Sequence, residues 1–228
     1  MATPYFELLK SLRAEKKLSQ QYLAERLGIS RASYISLEQG KRELSLREAE
    51  MLADLFGVSV EEITTGNKQN IEKYKQMIFT FLRTKLSDDG KTTKTKLAKL
   101  LYLADFGWYY SHLTSMSGMQ YRKIPYGPVP DMYFRVIDEL YEEGKIDIEK
   151  TKDGAMLISQ TTSGERTPVK LITTEEKKLM QEISKKWKNK RTQEIVDFAH
   201  NQLPYKICSD SEIIPYELIT QEDPEYVY

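Results

Sequence analysis

Ser19-Gln20-Gln21-Tyr22-Leu23-Ala24-Glu25-Arg26-Leu27-Gly28-Ile29-Ser30-Arg31-Ala32-Ser33-Tyr34-Ile35-Ser36-Leu37-Glu38-Gln39-Gly40 is the stretch on which the reading of this chain turns. Ser19 is placed to cap a helix over Gln20–Leu27, and Gly28 to close it in a left-handed turn. Ser30 then caps a second short helix, Arg31–Glu38, which Gly40 stops. Leu23, Ala24, Leu27, Ile29, Ile35 and Leu37 are expected to face inward, with Ala24 small where two helices must approach closely. The outward positions of the second helix, Arg31, Ala32, Ser33 and Ser36, are short or polar. Lys41 and Arg42 follow its end.

Working outward, Phe6, Leu8, Leu9 and Leu12 form the apolar stripe of a preceding helix. Ser45 with Glu48 three positions on is a capping box for Leu46–Phe56, ended by Gly57, and a last turn covers Ser59–Ile63. Five short helices without a strand signal describe a compact all-α domain over residues 1–66. Two helices joined by a tight glycine turn can lay the second in a DNA major groove while the first crosses the backbone. The alternative use of the same helices is a packing module, or a degenerate repressor that binds protein.

The segment from about 5 to 65 resembles the XRE helix-turn-helix domains (lambda-repressor and Cro-like). The carrying motifs are Ser-Gln-x-x-Leu-Ala-x-x-x-Gly-Ile-Ser and Ile35-Ser36-Leu37-Glu38-Gln39-Gly40-Lys41-Arg42. The resemblance implies that Gln20 braces a phosphate, that Arg31, Ala32 and Ser36 read bases, and that Glu38 is structural. Arg31 could pair with a guanine, Ser33 sits on the same face, and Lys41 and Arg42 suit phosphates. It also implies palindromic operator DNA bound by a homodimer.

Composition bounds the rest. The chain has 228 residues, with 34 Lys+Arg balanced by 34 Asp+Glu. Residues 1–66 hold nine basic and ten acidic side chains, net −1, which leaves 25 and 24, net +1, for the remainder. A binder held to nucleic acid by bulk charge is therefore excluded, though a local basic surface is not. One cysteine, Cys208, and two histidines, His112 and His200, are too few for a Cys/His zinc site. No apolar run reaches the roughly 18 residues that span a bilayer, and the first residues lack a signal-peptide pattern. These features predict a soluble, cytoplasmic protein with no cofactor and no membrane partner.

A polar seam at Thr64-Thr65-Gly66-Asn67-Lys68-Gln69-Asn70 separates the first domain from a second, 71–228, that reads as α+β and mostly helical. Helices are expected over Ile71–Leu86, Thr95–Tyr110, Asp131–Glu143, Thr174–Trp187 and Thr192–His200. Ser111–Pro130 reads as loop with a short strand at Met119–Lys123, because Pro125, Pro128 and Pro130 exclude a helix. Ile146-Asp147-Ile148 and Met156-Leu157-Ile158 around Asp153-Gly154 give a β-hairpin. A softer seam follows Lys150, and the tail from Pro204 reads as irregular. Trp108 is expected in the core. The tyrosines, dense through Tyr102–Tyr141, are either recognition surface or core edges.

No catalytic set emerges. His112 and His200 lie near helix ends without a nucleophile, Gly127 is not in a phosphate loop, and Asp88-Asp89 and Glu175-Glu176 point apart as sequence neighbours. Cys208 reads as a buried, inert thiol.

Lys99-Leu100-Leu101-Tyr102-Leu103-Ala104-Asp105, followed by Tyr121-Arg122-Lys123-Ile124-Pro125-Tyr126-Gly127-Pro128-Val129-Pro130 and the Tyr133–Leu140 helix, resembles the Panacea domain of SocA-like antitoxins. The likeness is strong over 71–150 and loose over 151–228. It implies a non-enzymatic antitoxin that binds a cognate toxin encoded by an adjacent gene; a leading DNA-binding domain implies repression of its own operon. Three prolines in Pro125–Pro130 pre-order the loop, which either presents Tyr121, Arg122 and Tyr126 to the toxin or only redirects the chain. The rival reading is a prophage-type regulator whose second domain senses a ligand or dimerises.

Overall fold

The computed structural model describes residues 5–66, 68–84 and 86–228. Met1–Pro4, Asn67 in the expected seam and Lys85 in the expected Ile71–Leu86 helix lie outside them. The chain divides into two compact units, Met1–Gln69 and Asn70–Tyr228.

The first unit holds α1 (Tyr5–Glu15), α2 (Gln20–Leu27), α3 (Arg31–Glu38), α4 (Leu46–Phe56) and α5 (Val60–Thr65). Local chemistry sets their ends. The Ser19 Oγ accepts from the Tyr22 N–H at 3.0 Å, and the Ser30 Oγ from the Ser33 N–H at 3.1 Å. Gly28 sits at φ 69°, where a Cβ would be strained, and its N–H returns to the Ala24 and Glu25 carbonyls. Leu9, Leu23, Ala24, Leu37, Leu52 and Phe56 share one core. Tyr34, which lies between Ser33 and Ile35 in the chain, joins that core with its ring fully buried. Ile29 and Ile35 are only half-buried.

The second unit is built around one helix. Its elements are α6 (Ile71–Arg83), β1 (Thr92–Thr93), α7 (Lys94–His112), β2 (Tyr121–Arg122), β3 (Val129–Pro130) and α8 (Met132–Glu142). Then follow β4 (Ile146–Lys150), β5 (Met156–Gln160), α9 (Thr162–Glu165), α10 (Thr174–Trp187), α11 (Thr192–Asn201) and α12 (Leu203–Ile207). Two 3-10 turns, Tyr216–Gln221 and Pro224–Tyr226, order the tail. Thirteen of the nineteen residues of α7 are buried, so apolar residues occur all round it, as a central helix requires. Helices α6, α10 and α11 and the Tyr216–Gln221 turn pack on it.

The hairpin pairs β4 with β5 in the register Ile148↔Ile158, and β1 adds to the other edge of β5 through Thr92↔Ile158. Lys150 therefore ends a strand inside the second unit, where the sequence suggested a softer seam. A second antiparallel pair, β2 with β3, sets Tyr121 opposite Pro130. Trp108 is half-buried, not core: its ring lies on His112, centroids 3.6 Å apart and planes 12° apart. Among the described residues no helix is long and apolar enough to cross a membrane.

Candidate functional site

Two regions carry side chains whose placement goes beyond packing. The first is the exposed side of α2 and α3. Arg31 and Ala32 are exposed in the first turn of α3, Ser33 and Ser36 are half-exposed behind them, and Lys41 is exposed beyond the helix end. Arg31 and Lys41 form no ion pair among the described residues. The Ser36 hydroxyl donates to the Ala32 carbonyl at 3.0 Å, and Ser33 meets the Ser30 hydroxyl at 3.1 Å.

Behind that face lies a clamp. Arg13 Nε donates to Glu38 Oε1 at 2.5 Å and Nη2 to Oε2 at 3.2 Å, while Gln20 Nε2 reaches the same Oε2 at 2.9 Å. Burial pushes the Glu38 carboxyl up, but hydrogen bonds from Arg13 and Gln20 outweigh it and hold the group below its ordinary value of 4.5. Glu38 is thus structural, tying α1, α2 and α3 together. Gln20 gives Glu38 one of its two amide N–H groups and keeps the second. Arg42 is turned into the protein: its Nη2 donates to Glu48 Oε1 at 2.8 Å, and Glu48 in turn closes the Ser45 capping box. The side chain is half-buried, so the cation expected at the end of α3 serves the start of α4.

The second region is the Tyr126-Gly127-Pro128 loop. Gly127 has φ +89°, and a Cβ there would fall 2.7 Å from Lys99 Cε. The positive φ favours glycine, and a Cβ there would also have to displace the end of the Lys99 side chain. Beneath the loop the Lys99 Nζ donates to the Pro128 carbonyl at 2.8 Å. Ile124, Tyr126 and Val129 border a cavity of about 340 Å³ that Ala98, Lys99, Tyr133 and Phe134 also line. Burial lowers the Lys99 ammonium to about 7. Tyr126 is 74% exposed at this cavity.

The structure separates the three residues singled out for toxin contact. Tyr126 is on the surface. Tyr121 is corrected: it is 0% exposed, and its hydroxyl donates to Asp105 Oδ2 at 2.8 Å inside a ring cluster with Tyr102, Phe106 and Tyr216. Strand alternation around Ile124 and the loop prolines gave no sign of this, because the partner carboxylate lies sixteen residues back. Arg122 is half-exposed, but its guanidinium forks onto Asp131 at 2.7–3.1 Å and donates to the Ser211 carbonyl at 2.6 Å. It braces the β2–β3 turn.

Asp105 is the residue that sequence reasoning quoted without giving a role. It accepts from the Ser117 N–H at 2.7 Å, from the Ser117 hydroxyl and from Tyr121. Burial pushes its carboxyl up to about 6 despite those bonds. Lys96 is likewise buried and donates to the Lys190 carbonyl at 2.6 Å. Cys208 is buried, and burial raises its thiol.

A serine-capped helix, a left-handed glycine and a second short helix with a polar outer face define a helix-turn-helix module. The profile of the helix-turn-helix family matches residues 9–63. An uncharacterized HTH-type transcriptional regulator of Methanocaldococcus jannaschii is 46% identical over 55 residues, 24% of this chain and 83% of the relative. The chain belongs to the helix-turn-helix family. Its residues 97–205 match the antitoxin SocA-like, Panacea domain. The HTH-type transcriptional regulator AnsR of Bacillus subtilis is 43% identical over 61 residues, 27% of this chain and 53% of AnsR. The cryptic phage CTXphi transcriptional repressor RstR of Vibrio cholerae is 32% identical over 71 residues, 31% of this chain and 64% of RstR. The chain thus spans between about half and two thirds of the length of those two regulators. No solved structure matches it.

Proposed function

We propose that this protein is an antitoxin that binds and neutralises a protein toxin encoded by an adjacent gene, and that it represses its own operon as a homodimer. What carries the reading is the pairing, in one chain, of a helix-turn-helix module with a SocA-like domain. In the first unit Arg31, Ala32, Ser33 and Ser36 face the operator bases and nearby phosphates, Lys41 and the second Gln20 N–H meet phosphates, and Arg42 supports the start of α4. In the second unit the toxin seats on the loop that carries Tyr126, which Arg122 holds from behind. Neither role needs a reacting centre, and no catalytic residue is assigned.

The test is to express the neighbouring open reading frame alone and with this protein. Growth arrest relieved by the full chain is the expected outcome; a harmless neighbour, or arrest that is never relieved, removes the antitoxin role. Arg31→Ala should weaken operator binding by about 1–3 kcal/mol while sparing rescue, and operator affinity equal to the native protein would withdraw Arg31 as a base reader. Tyr126→Ala should do the reverse, sparing operator binding and reducing rescue, as co-expression growth curves would show. A transcriptional regulator whose second unit senses a small molecule is the second reading, and the cavity beneath Tyr126 is the observation in its favour.

A further inference from the structure

Lys99 is a buried cation for which the described residues supply no anion. It is 1% exposed, and its one hydrogen-bond partner among them is the Pro128 carbonyl. An ammonium has three N–H groups, and a carbonyl satisfies one of them without supplying a negative charge. His200 adds a second unmatched group: its Nε2 is buried with no hydrogen-bond partner among the described residues, the ring being held flat against Tyr205 with centroids 4.3 Å apart. The two nitrogens converge beneath the loop, since a Cβ on Gly127 would lie 3.1 Å from Lys99 Nζ and 3.2 Å from His200 Nε2.

A buried ammonium without a counter-charge sheds its proton readily, and burial lowers Lys99 to about 7, so an anion arriving beside it would restore the charge. The lining is otherwise mostly apolar but for a second cation, Lys94, whose Nζ lies 3.7 Å from Asp138 and 5.2 Å over the Phe134 ring; two exposed rings stand at the cavity, Tyr126 and Phe134, the latter at 48% exposure. A desolvated amine flanked by two exposed rings matches an interface anchor, in which the rim excludes water and the centre carries the affinity. We propose that this pocket receives a carboxylate side chain of the partner toxin, with Lys99 as its counter-ion and Tyr126 and Phe134 as its rim. The proposal rests on the antitoxin reading and gives its interface a chemistry: an Asp or Glu flanked by apolar residues. Burial followed by the Lys99 charge keeps the His200 imidazole below its ordinary pKa; the ring lies near Lys99 beneath Gly127 and is not part of the cavity lining.

A purely structural Lys99 would pin the loop through Pro128 and nothing more. Lys99→Gln separates the two roles, because the amide can still donate to a carbonyl but carries no charge. Full-length protein and the variant are titrated calorimetrically with the product of the neighbouring gene, and melting temperatures are recorded alongside. The expected result is toxin binding weakened by about thirtyfold or more in Lys99→Gln with the melting temperature held, the range for truncating one partner of a buried charge pair. Phe134→Ala, at an exposed position, should weaken binding too and guards against misfolding of the first variant. If the native protein binds the toxin and Lys99→Gln binds it equally well, the pocket assignment is overturned and the antitoxin reading stands. Absence of binding by the native protein overturns both. Stabilisation of the native protein by 3-phenylpropionate but not by its amide, with toxin binding indifferent to Lys99→Gln, would make this a site for a free organic acid and overturn the partner assignment.

Discussion

Glu38 in the first unit and Asp105 in the second are both buried carboxylates that hold separate segments together, yet their surroundings drive them in opposite directions. Glu38 faces a guanidinium and an amide and is kept below its ordinary pKa. Asp105 faces one backbone N–H and two hydroxyls, is fully buried, and is pushed up to about 6. An N–H and two hydroxyls therefore do not offset the full burial of Asp105, whereas a guanidinium and an amide more than offset the shallower burial of Glu38. The first unit joins its helices with a salt bridge, whereas the second joins α7 to the loop before β2 with an acid held by neutral donors alone, whose pKa burial raises to about 6.

That contrast can be broken most severely at Arg13. Arg13→Ala strands the Glu38 charge in the core and should destabilise the first unit by about 3 kcal/mol, the lower end for removing one partner of a buried pair. Urea unfolding followed by circular dichroism would measure it. Both tryptophans, Trp108 and Trp187, lie in the second unit, so their fluorescence should report no change.

The pH dependence sharpens the comparison from the other side. For Asp105 the folded pKa is raised from an ordinary value of 3.8 to about 6. Between these values the folded state binds more protons than the unfolded one, so stability of the second unit falls as pH rises through that window and levels off above it. The fall amounts to roughly 3 kcal/mol at 1.36 kcal/mol per unit. Asp105→Asn should flatten it when tryptophan-detected melting is followed from pH 4 to 7; an unaltered slope would place the titration elsewhere. Glu38 obeys the opposite sign. Its lowered pKa contributes stability that is present above about 4.5 and lost as pH falls through the lower folded value.

The mildest perturbation is Ser30→Ala, which removes the cap of α3 at a cost of about 1 kcal/mol. Helix content and the first unit's melting point should record it, and the tryptophan signal should not move.

The legibility of the two units differs for a physical reason. Helices α2, α3 and α4 have the boundaries that Ser19, Gly28, Ser30, Ser45 and Gly57 predict, because a cap is a contact between residues three or four apart. The hairpin β4–β5 was likewise visible in Asp153-Gly154. The two-residue strands β1 and β3 were not, since Thr92 becomes a strand only by lying against Ile158, and Val129 only against Arg122. At the candidate sites, Arg31 and Tyr126 occupy the exposed positions expected of them, while Tyr121 and Arg42 do not.

The amino-acid sequence determined the family of the first unit, the helical character of the second and the rigid glycine-proline loop, all of which rest on short-range spacing and backbone preference. The tertiary structure decided which polar residues are core. Tyr121 reads as a surface ring until Asp105 is seen beside it, Arg42 as a free cation until Glu48 is, and Lys99 as one more lysine on a helix until its burial beneath Pro128 is known. A side chain's charge state and partners depend on the groups that folding brings within about 4 Å, and those groups lie up to 29 residues away for Lys99 and 25 for Arg13.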